Sequence, residues 1–241
     1  LKVNGAKDNA SIWAIAQGQR ADMSALSAVK MSLDRATSVV DVALAAGENI
    51  SDLLNQLKEK VVAATDESLK TQSRELLDAD FQAILRAIQQ AAENAEFDGS
   101  NLLDGSLTNG IRFLANAEAD AFITLSSKDL SLSGSIITIT TSSNLQTVTE
   151  ANDVLALLDA SIDNLNSALG EMGSQGKQIA AHNTFVSKLQ DTLETGIGNL
   201  VDADLAKESA RLQALQVQQQ LGAQALSIAN QAPQIILSLF R

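Results

Sequence analysis

The side chains best able to do chemistry in this sequence are its carboxylates. The chain has 29 Asp and Glu against 17 Lys and Arg, which gives a net charge of −12. Asp78 with Asp80, or Asp202 with Asp204, are the pairs to test for acid–base catalysis. Such catalysis requires two carboxylates in different environments of one cleft. Residues two positions apart on a helix point to different sides, so we predict that these carboxylates lie on solvated faces or pair with Lys and Arg.

Histidine and glycine offer the two other chemical patterns. His182 is the only histidine and the sequence has no cysteine, whereas a metal site requires several converging ligands. Gly170, Gly173 and Gly176 recur every third residue, but no Lys-Ser or Lys-Thr follows them as a phosphate-binding loop requires. We predict a structural role for His182 and either a close helix approach or a flexible joint at the glycines. The protein is then not an enzyme and holds no cofactor or metal.

The composition predicts long helices. Hydrophobic residues make up 45% of the chain, aromatic residues only 3%, and there is a single proline; Ala and Leu are strong helix formers. The negative charge disfavours nucleic acid or an anionic membrane as a partner. We identify no apolar run long enough to span a bilayer and no secretory signal at Leu1. A protein of this kind that works outside the cell needs another export route.

Two long heptad patterns predict two helices that pack along their whole length. The first covers 29–64, ~54 Å of helix at ~1.5 Å per residue. Its seam positions are Val29, Leu33, Ala36, Val40, Ala43, Gly47, Ile50, Leu54, Leu57, Val61 and Ala64. The other pattern covers 155–200 and carries Asn183 and Gln190 at two seam positions. We expect these polar side chains to fix the register.

A polar stretch at 65–72 separates the first helix from a second, shorter one. The apolar positions of the second helix are Leu77, Phe81, Ile84, Ile88, Ala91 and Ala95. We expect this helix to fold back on the first. We also expect it to end at Phe97-Asp98-Gly99, because a glycine can supply the positive φ that closes a helix.

The segment from about 100 to 145 is predicted to be β structure, because Ser, Thr, Gly and β-branched residues replace the helical pattern. Asp104-Gly105 is a turn signal. Short antiparallel strands are predicted at 111–114, 121–125 and 135–140. Thr147 and Glu150 then predict a capping box ahead of the third helix.

The C-terminal tail is predicted to be a helix with apolar residues on more than one face. One row follows the heptad spacing at Ala210, Ala214, Val217, Leu221, Ala225, Ile228, Ala232, Ile235 and Leu239. A second row lies off this stripe at Leu205, Leu212, Leu215 and Leu226. One partner helix covers only one seam, so we predict that other subunits pack against residues drawn from both rows and against Gly222. These packing residues are Leu205, Leu212, Leu215, Val217, Leu221, Gly222, Ala225, Ile228, Ile235 and Leu239. The tail is expected to be disordered or weakly helical until subunits meet. The alternative is an intramolecular hairpin.

Several short segments follow one another around these helices in a set order. They are Gly5-Ala6-Lys7-Asp8-Asn9-Ala10; Glu96-Phe97-Asp98-Gly99 with Leu102-Leu103-Asp104-Gly105-Ser106; Asp202-Ala203-Asp204; Gln219-Gln220-Leu221-Gly222; and Asn230-Gln231-Ala232-Pro233-Gln234 with Leu237-Ser238-Leu239. Through them the sequence resembles bacterial flagellin over essentially its whole length. The resemblance implies a mainly α fold, with long coiled-coil-like helices forming a rod and a small antiparallel β-hairpin region.

The resemblance also implies a division into an inner-tube domain and a surrounding rod domain. Residues 1–19 would be a remnant of the N-terminal inner-tube segment and its spoke. Residues 20–200 would form the rod domain, with the β region at about 100–145, and 201–241 the C-terminal inner-tube helix. On this mapping the chain would be a short form without outer variable domains, because the segment at about 100–145 leaves no room for them. The family's extreme N-terminal helix, which pairs with the C-terminal one, is expected to be missing.

The function implied by the resemblance is that of a structural subunit that polymerises into the flagellar filament for motility. The implied partners are other flagellin subunits, the flagellar export apparatus, an export chaperone, and the hook-associated and cap proteins, with no nucleic acid and no membrane. The implied location is the extracellular filament, reached without a cleaved signal peptide. A hook–filament junction protein, which shares the end domains, and a soluble coiled-coil adaptor are the alternatives.

Many flagellins carry a Gln-Arg-Val-Arg-Glu-Leu type patch that an innate immune receptor recognises. The corresponding position here is Gln56-Leu57-Lys58-Glu59-Lys60-Val61. Apolar Leu57 stands where an arginine would present a planar, multidentate donor. We therefore expect weak or no recognition by that receptor.

Overall fold

The computed structural model describes residues 1–202 and 205–239, and the side chains of 1–202 and 206–227. The elements, in chain order, are α1 (Ala10–Ala64), α2 (Thr71–Glu93), β1 (Glu96–Phe97), β2 (Ser100–Asn101), β3 (Ile111–Leu114), β4 (Phe122–Leu125), α3 (Val148–Val201) and α4 (Leu205–Leu239). The predicted mainly α fold class is confirmed. The chain divides into two compact units, a larger one of Ala21–Thr192 and a smaller one of Leu1–Arg20 with Leu193–Arg241.

In the larger unit, α1 and α3 lie antiparallel; the predicted α3 seam is only partly buried, because Leu155, Ile162 and Leu169 are half-buried. Lys58 forms an ion pair with Asp159 at 2.7 Å, whereas Asp34, much earlier in α1, accepts a hydrogen bond of 2.6 Å from Asn183. Residue numbers therefore fall along α3 as they rise along α1. Every position predicted for the first seam is buried, so the heptad interpretation of α1 is confirmed.

The two polar seam residues of α3 hydrogen-bond to α1. The side-chain amide of Asn183 donates to Asp34 Oδ1 at 2.6 Å, and that of Gln190 donates to Ser27 Oγ at 3.0 Å. Sliding α3 by one turn would leave both amides without these acceptors, at a cost in free energy. The contacts therefore support the predicted role of these residues in fixing the register.

Two glycines let α1 and α3 approach each other closely. A Cβ at Gly47 would overlap the side chain of Leu169, and one at Gly176 would lie 3.1 Å from a valine methyl group of α1. A Cβ at Gly170 or Gly173 would meet nothing within 4 Å. The close approach predicted for the three spaced glycines therefore holds only for the last of them.

Helix α2 folds back on α1 and is buried on one face. Its buried residues are Arg74, Phe81, Leu85, Ile88 and Ala92. The predicted seam was partly wrong, because Leu77, Ile84 and Ala91 are only half-buried. The buried positions keep the heptad spacing, because Phe81, Leu85, Ile88 and Ala92 follow one another at four, three and four residues. The error was in which residues beside Phe81 and Ile88 were assigned to the buried face.

Arg74 closes the connection between α1 and α2. Its guanidinium donates to the carbonyl oxygen of Ala64 and, at 2.9 Å, to that of Asp66. The last carbonyl groups of a helix have no partner within the helix. Arg74 is therefore buried despite its charge, because it satisfies the end of α1.

The predicted end of α2 at residues 97–99 is wrong. The helix ends at Glu93, and β1 pairs with β2 across the two-residue loop Asp98-Gly99. Both loop residues have positive φ, 51° and 75°, which is typical of a type I′ hairpin turn. The side-chain amide of Asn101 donates to the carbonyl oxygens of Ala92, at 2.8 Å, and Glu93, at 3.1 Å, and so closes the helix instead.

The β3–β4 hairpin is antiparallel, with Ile111 opposite Leu125 and Leu114 opposite Phe122. The strands predicted at 111–114 and 121–125 are confirmed within one residue. Residues 135–140 form no strand in the described structure, which corrects the third prediction. The alternation there is real, since Ile137 and Ile139 are buried, but α3 takes the place of a partner strand: Thr138 N donates to Ser161 Oγ at 3.1 Å.

Side-chain caps fix the starts of two helices. Thr147 N donates to Glu150 Oε2 at 2.9 Å and Glu150 N donates to Thr147 Oγ1 at 3.2 Å. These reciprocal bonds confirm the capping box predicted for α3. At the start of α1, Asn9 Oδ1 accepts a hydrogen bond of 3.1 Å from Ile12 N, which the sequence analysis did not anticipate.

The smaller unit has its own apolar cluster, formed where the chain ahead of α1 meets the end of α3. Val3, Ala16, Ile197 and Val201 are buried together, with Ile12, Trp13 and Leu200 packed against them. The backbone N–H groups of Lys2 and Val3 both donate to the carbonyl oxygen of Val201, at 2.6 and 3.3 Å. The N-terminal segment therefore satisfies a carbonyl group at the end of α3.

Val3→Ala should loosen this cluster without unfolding the larger unit. Val3 is only 5% exposed, and removing two buried methyl groups costs roughly 1–2 kcal/mol. Trp13 is the only tryptophan, so the denaturant midpoint of its fluorescence should fall. Leu1→Ala is the matched control, because Leu1 is 66% exposed. An unchanged Trp13 midpoint in Val3→Ala would mean that Val3 does not hold the cluster together.

Candidate functional site

The feature that stands out chemically is the tail helix α4, whose described side chains are all exposed. Residues 206–227 are exposed without exception. The large apolar side chains among them are Leu212 (57% exposed), Leu215 (57%), Val217 (54%), Leu221 (59%) and Leu226 (66%). Singly exposed apolar residues are ordinary, but a contiguous apolar surface marks an interaction site. Because residues 206–227 are all exposed, they do not form the intramolecular hairpin that was the alternative.

The exposed apolar residues lie on two opposite faces of α4. Leu212 and Leu221 are 221 − 212 = 9 residues apart, which is two and a half turns at about 3.6 residues per turn. Val217 lies on the side of Leu221, and Leu226 on the side of Leu212. A single neighbouring helix cannot cover both faces.

Charge is nearly absent from this helix. Glu208 and Arg211 approach within 3.8 Å near its start, and no charged residue follows between Leu212 and Leu239. Burying a charge without a partner is costly. The sequence of α4 therefore avoids the main penalty for being enclosed on all sides.

The structure differs from the expectation of a disordered or weakly helical tail, since Leu205–Leu239 is a continuous helix. Ala, Leu and Gln, which fill most of its length, have high helix propensity. At 35 residues the helix is also far longer than the ~12–15 residues below which isolated helices are marginal. Local propensity therefore favours a helix here even though the side chains of 206–227 are exposed.

The predicted subunit-packing residues fall into two groups. Leu212, Leu215, Val217, Leu221, Gly222 and Ala225 are exposed on α4. The side chains of Leu205, Ile228, Ile235 and Leu239 lie outside the described part of the structure. Leu226 was not among the predicted packing residues, although among the described side chains of α4 it is the most exposed large apolar one. The second apolar row was the signal that could have included it.

Three of the side chains considered for chemistry, those of His182, Asp78 and Asp80, have structural partners, whereas Asp204 lies outside the described residues. His182 Nε2 is 2.7 Å from the carbonyl oxygen of Ala115. Asp78 Oδ1 accepts a hydrogen bond of 2.8 Å from Leu145 N, whereas Asp80 pairs with Lys60 at 2.9 Å. Among the residues that the structure describes, no group of three or more His, Asp or Glu could hold a metal ion. Within the same residues, no helix has the length and apolar character needed to cross a membrane.

Comparison with known proteins identifies the family to which this architecture belongs. A model of the bacterial flagellin N-terminal helical region matches residues 1–108, and one of the flagellin C-terminal helical region matches residues 155–240. Flagellin FljJ of Caulobacter vibrioides is 53% identical over 99% of this chain and 86% of its own length. The chain belongs to the bacterial flagellin family. It is a structural subunit that polymerises into the flagellar filament.

More distant flagellins and solved structures agree with this assignment. A flagellin of Brucella melitensis is 38% identical over 100% of this chain and 88% of its own length. The crystal structure of Bacillus cereus flagellin has a TM-score of 0.56 at 21% identity and covers 64% of this chain and 88% of its own. A Vibrio parahaemolyticus protein described as flagellar hook-associated has a TM-score of 0.63 at 13% identity and covers 81% and 100%.

The two structural comparisons explain why the junction protein was a reasonable alternative. Both solved structures share the fold of this chain, so the fold alone does not separate a filament subunit from a hook-associated protein. Sequence identity does separate them, because the relatives at 38% and 53% identity are flagellins. Neither the junction protein nor the soluble adaptor is favoured.

Proposed function

We propose that α4 is a subunit-packing element of the filament and that its two apolar faces contact different neighbouring subunits. The observation that carries this proposal is the exposure of large apolar side chains on opposite faces of one helix that has no charged residue after Arg211. An interface between identical copies that does not close on itself produces a helical polymer. The packing residues are then Leu205, Leu212, Leu215, Val217, Leu221, Gly222, Ala225, Ile228, Ile235 and Leu239. The protein acts mechanically and catalyses no reaction.

We further propose that residues 20–200 form the rod domain of the subunit, and that 1–19 and 201–241 belong to the inner tube. Support comes from the two compact units, since Ala21–Thr192 forms one of them and both chain ends form the other, although this division places 193–200 with the chain ends. The helical break at Asp202, between α3 and α4, further supports a boundary there. The long α1–α3 pair gives the rod domain a stiff antiparallel core.

The proposed location is the extracellular filament, and this location implies the remaining partners. Delivery without a cleaved signal peptide needs the flagellar export apparatus and an export chaperone. Hook-associated and cap proteins would then adjoin the ends of the polymer. An exposed apolar helix with so few charges would aggregate in the cytoplasm if nothing covered it, so α4 is the segment that an export chaperone has most reason to bind.

We propose that an innate immune receptor recognises this chain weakly or not at all. In the segment that corresponds to the recognised patch, Leu57 is fully buried. Lys58 pairs with Asp159 at 2.7 Å and Lys60 with Asp80 at 2.9 Å. The hydrogen bond to the Asp80 carboxylate raises the pKa of Lys60, and both lysines of the segment are paired within their own subunit.

Electron microscopy of the full-length protein under polymerising conditions tests the proposed assembly. We expect long filaments of constant diameter, because each added subunit exposes the same uncovered faces of α4. A coiled-coil adaptor would instead give finite oligomers, and a junction protein would stop after a single layer. Either of those outcomes would contradict the proposal.

Gly222 provides a separate prediction about how closely neighbours approach α4. In the isolated subunit a Cβ at Gly222 would meet nothing within 4 Å, so Gly222→Ala should increase helicity by circular dichroism, since Ala is favoured over Gly by about 1 kcal/mol. Gly222→Leu should leave the subunit folded but overpack the interface. Overpacking one site costs about 1–3 kcal/mol. The critical concentration for growth should therefore rise about 5- to 150-fold. Normal growth of Gly222→Leu would show that no neighbour packs closely there.

A further inference from the structure

The sequence contains two Asn-Gly dipeptides, Asn4-Gly5 and Asn109-Gly110. Their hydrogen bonds in the structure differ. Both asparagines are exposed. Asn-Gly is the dipeptide in which the following amide nitrogen reaches the asparagine side chain most easily, because glycine has no Cβ to obstruct the approach and is flexible. Exposure does not distinguish the two sites, but their hydrogen bonds do.

Asn4-Gly5 is held by a nearby carboxylate. The backbone N–H groups of Asn4 and Gly5 donate to Asp8 Oδ2 at 2.9 and 3.1 Å, and Asp8 N donates back to the carbonyl oxygen of Gly5 at 3.1 Å. The N–H proton of Gly5 is therefore held in a hydrogen bond to Asp8. The negative charge of Asp8 also opposes loss of that proton.

Asn109-Gly110 has no such restraint. None of the residues 107–110 forms a hydrogen bond with the described part of the chain. Gly110 is nevertheless required, since its φ is +68° and a Cβ there would overlap the carbonyl oxygen of Leu125. The hairpin geometry thus keeps a glycine after Asn109 and leaves its N–H unbound.

We propose that Asn109 is a site of spontaneous deamidation and that Asn4 is protected from it by Asp8. The Gly110 nitrogen loses its proton and attacks Cγ of Asn109. A new N–C bond forms, the Cγ–Nδ2 bond breaks, and the side-chain nitrogen leaves as ammonia. Water then opens the resulting cyclic imide at either carbonyl group and gives aspartate or isoaspartate. Isoaspartate adds a methylene group to the main chain immediately before β3.

Peptide mapping by mass spectrometry of the folded protein, incubated at mildly alkaline pH, tests this proposal. A hydrogen bond to a charged acceptor slows the reaction at Asn4 roughly tenfold or more relative to Asn109. The peptide with Asn109 should gain one mass unit and become a substrate for an isoaspartyl methyltransferase, while the Asn4 peptide remains unchanged. In denaturant the two sites should react at similar rates.

Asp8→Ala is the variant that isolates the cause, because it should accelerate deamidation at Asn4 roughly tenfold without changing the rate at Asn109. Asp8→Asn retains an acceptor oxygen but not the charge. Its deamidation rate at Asn4 should lie between that of the wild type and that of Asp8→Ala. Equal rates at Asn4 and Asn109 in the folded wild-type protein would overturn the proposal. So would a rate at Asn109 that is tenfold lower in the folded protein than in denaturant.

Discussion

Leu221→Asp should abolish filament growth while leaving the larger unit folded. Leu221 is 59% exposed in the subunit, so the substitution costs little before assembly. Once a neighbour covers that face, an unpaired buried charge costs several kcal/mol, which raises the critical concentration roughly 100-fold or more. Light scattering during polymerisation and circular dichroism of the subunit measure the two effects.

The controls use the geometry of α4. Leu221→Met conserves volume and should cost less than about 1.5 kcal/mol, so filaments should still grow. Leu212→Asp places the same charge on the opposite face and should block growth as strongly as Leu221→Asp. If Leu212→Asp polymerises like the wild type, only one face of α4 contacts other subunits, and the proposal of two distinct neighbours is wrong.

Phe81→Ala should give the largest loss of stability from a single core substitution. Phe81 is fully buried on α2, and removing a buried aromatic side chain costs about 3–5 kcal/mol through lost burial and the cavity left behind. Urea unfolding followed by circular dichroism measures the change in the free energy of unfolding.

Phe185→Ala is the matched control for this measurement. Phe185 lies on α3 and is 57% exposed, so the same substitution should change the free energy of unfolding by no more than about 0.5 kcal/mol. A cost for Phe81→Ala close to that of Phe185→Ala would show that the α2 face is not part of the core.

The sequence predicts the long helices well because heptad spacing is a direct consequence of burial. Every seam position of α1 is buried, from Val29 to Ala64, and no chemistry other than packing is needed to explain that spacing. The capping box at Thr147 and Glu150 is predictable for the same reason, since both partners lie within one turn. In each case the information is local.

The errors arise where one local signal fits two structures. A glycine with positive φ closes a helix or completes a type I′ turn, and only the pairing of β1 with β2 decides for the latter at Gly99. Alternation at 135–140 indicates burial of Ile137 and Ile139, but the sequence does not reveal that the partner is α3 instead of a strand. Burial of Arg74 likewise depends on carbonyl groups that come close only in the folded chain.

The tail shows a different limit of prediction from the sequence. Two apolar rows predict more than one neighbour, and the structure leaves both rows uncovered over residues 206–227. Which subunit meets which row is a property of the polymer, because the partner surfaces belong to other copies of the chain. The Val3 cluster was missed for a related reason, since its members are far apart in sequence and follow no repeat.

Hydrogen exchange of the backbone amides of α4, compared between the free subunit and the filament, tests the central claim most directly. In the free subunit these amides should exchange rapidly, because a helix whose side chains are exposed opens readily. In the filament they should become strongly protected, on both faces and along 205–239. Strong protection already in the free subunit, or no gain of protection on assembly, would contradict the assignment of α4 as the subunit-packing element.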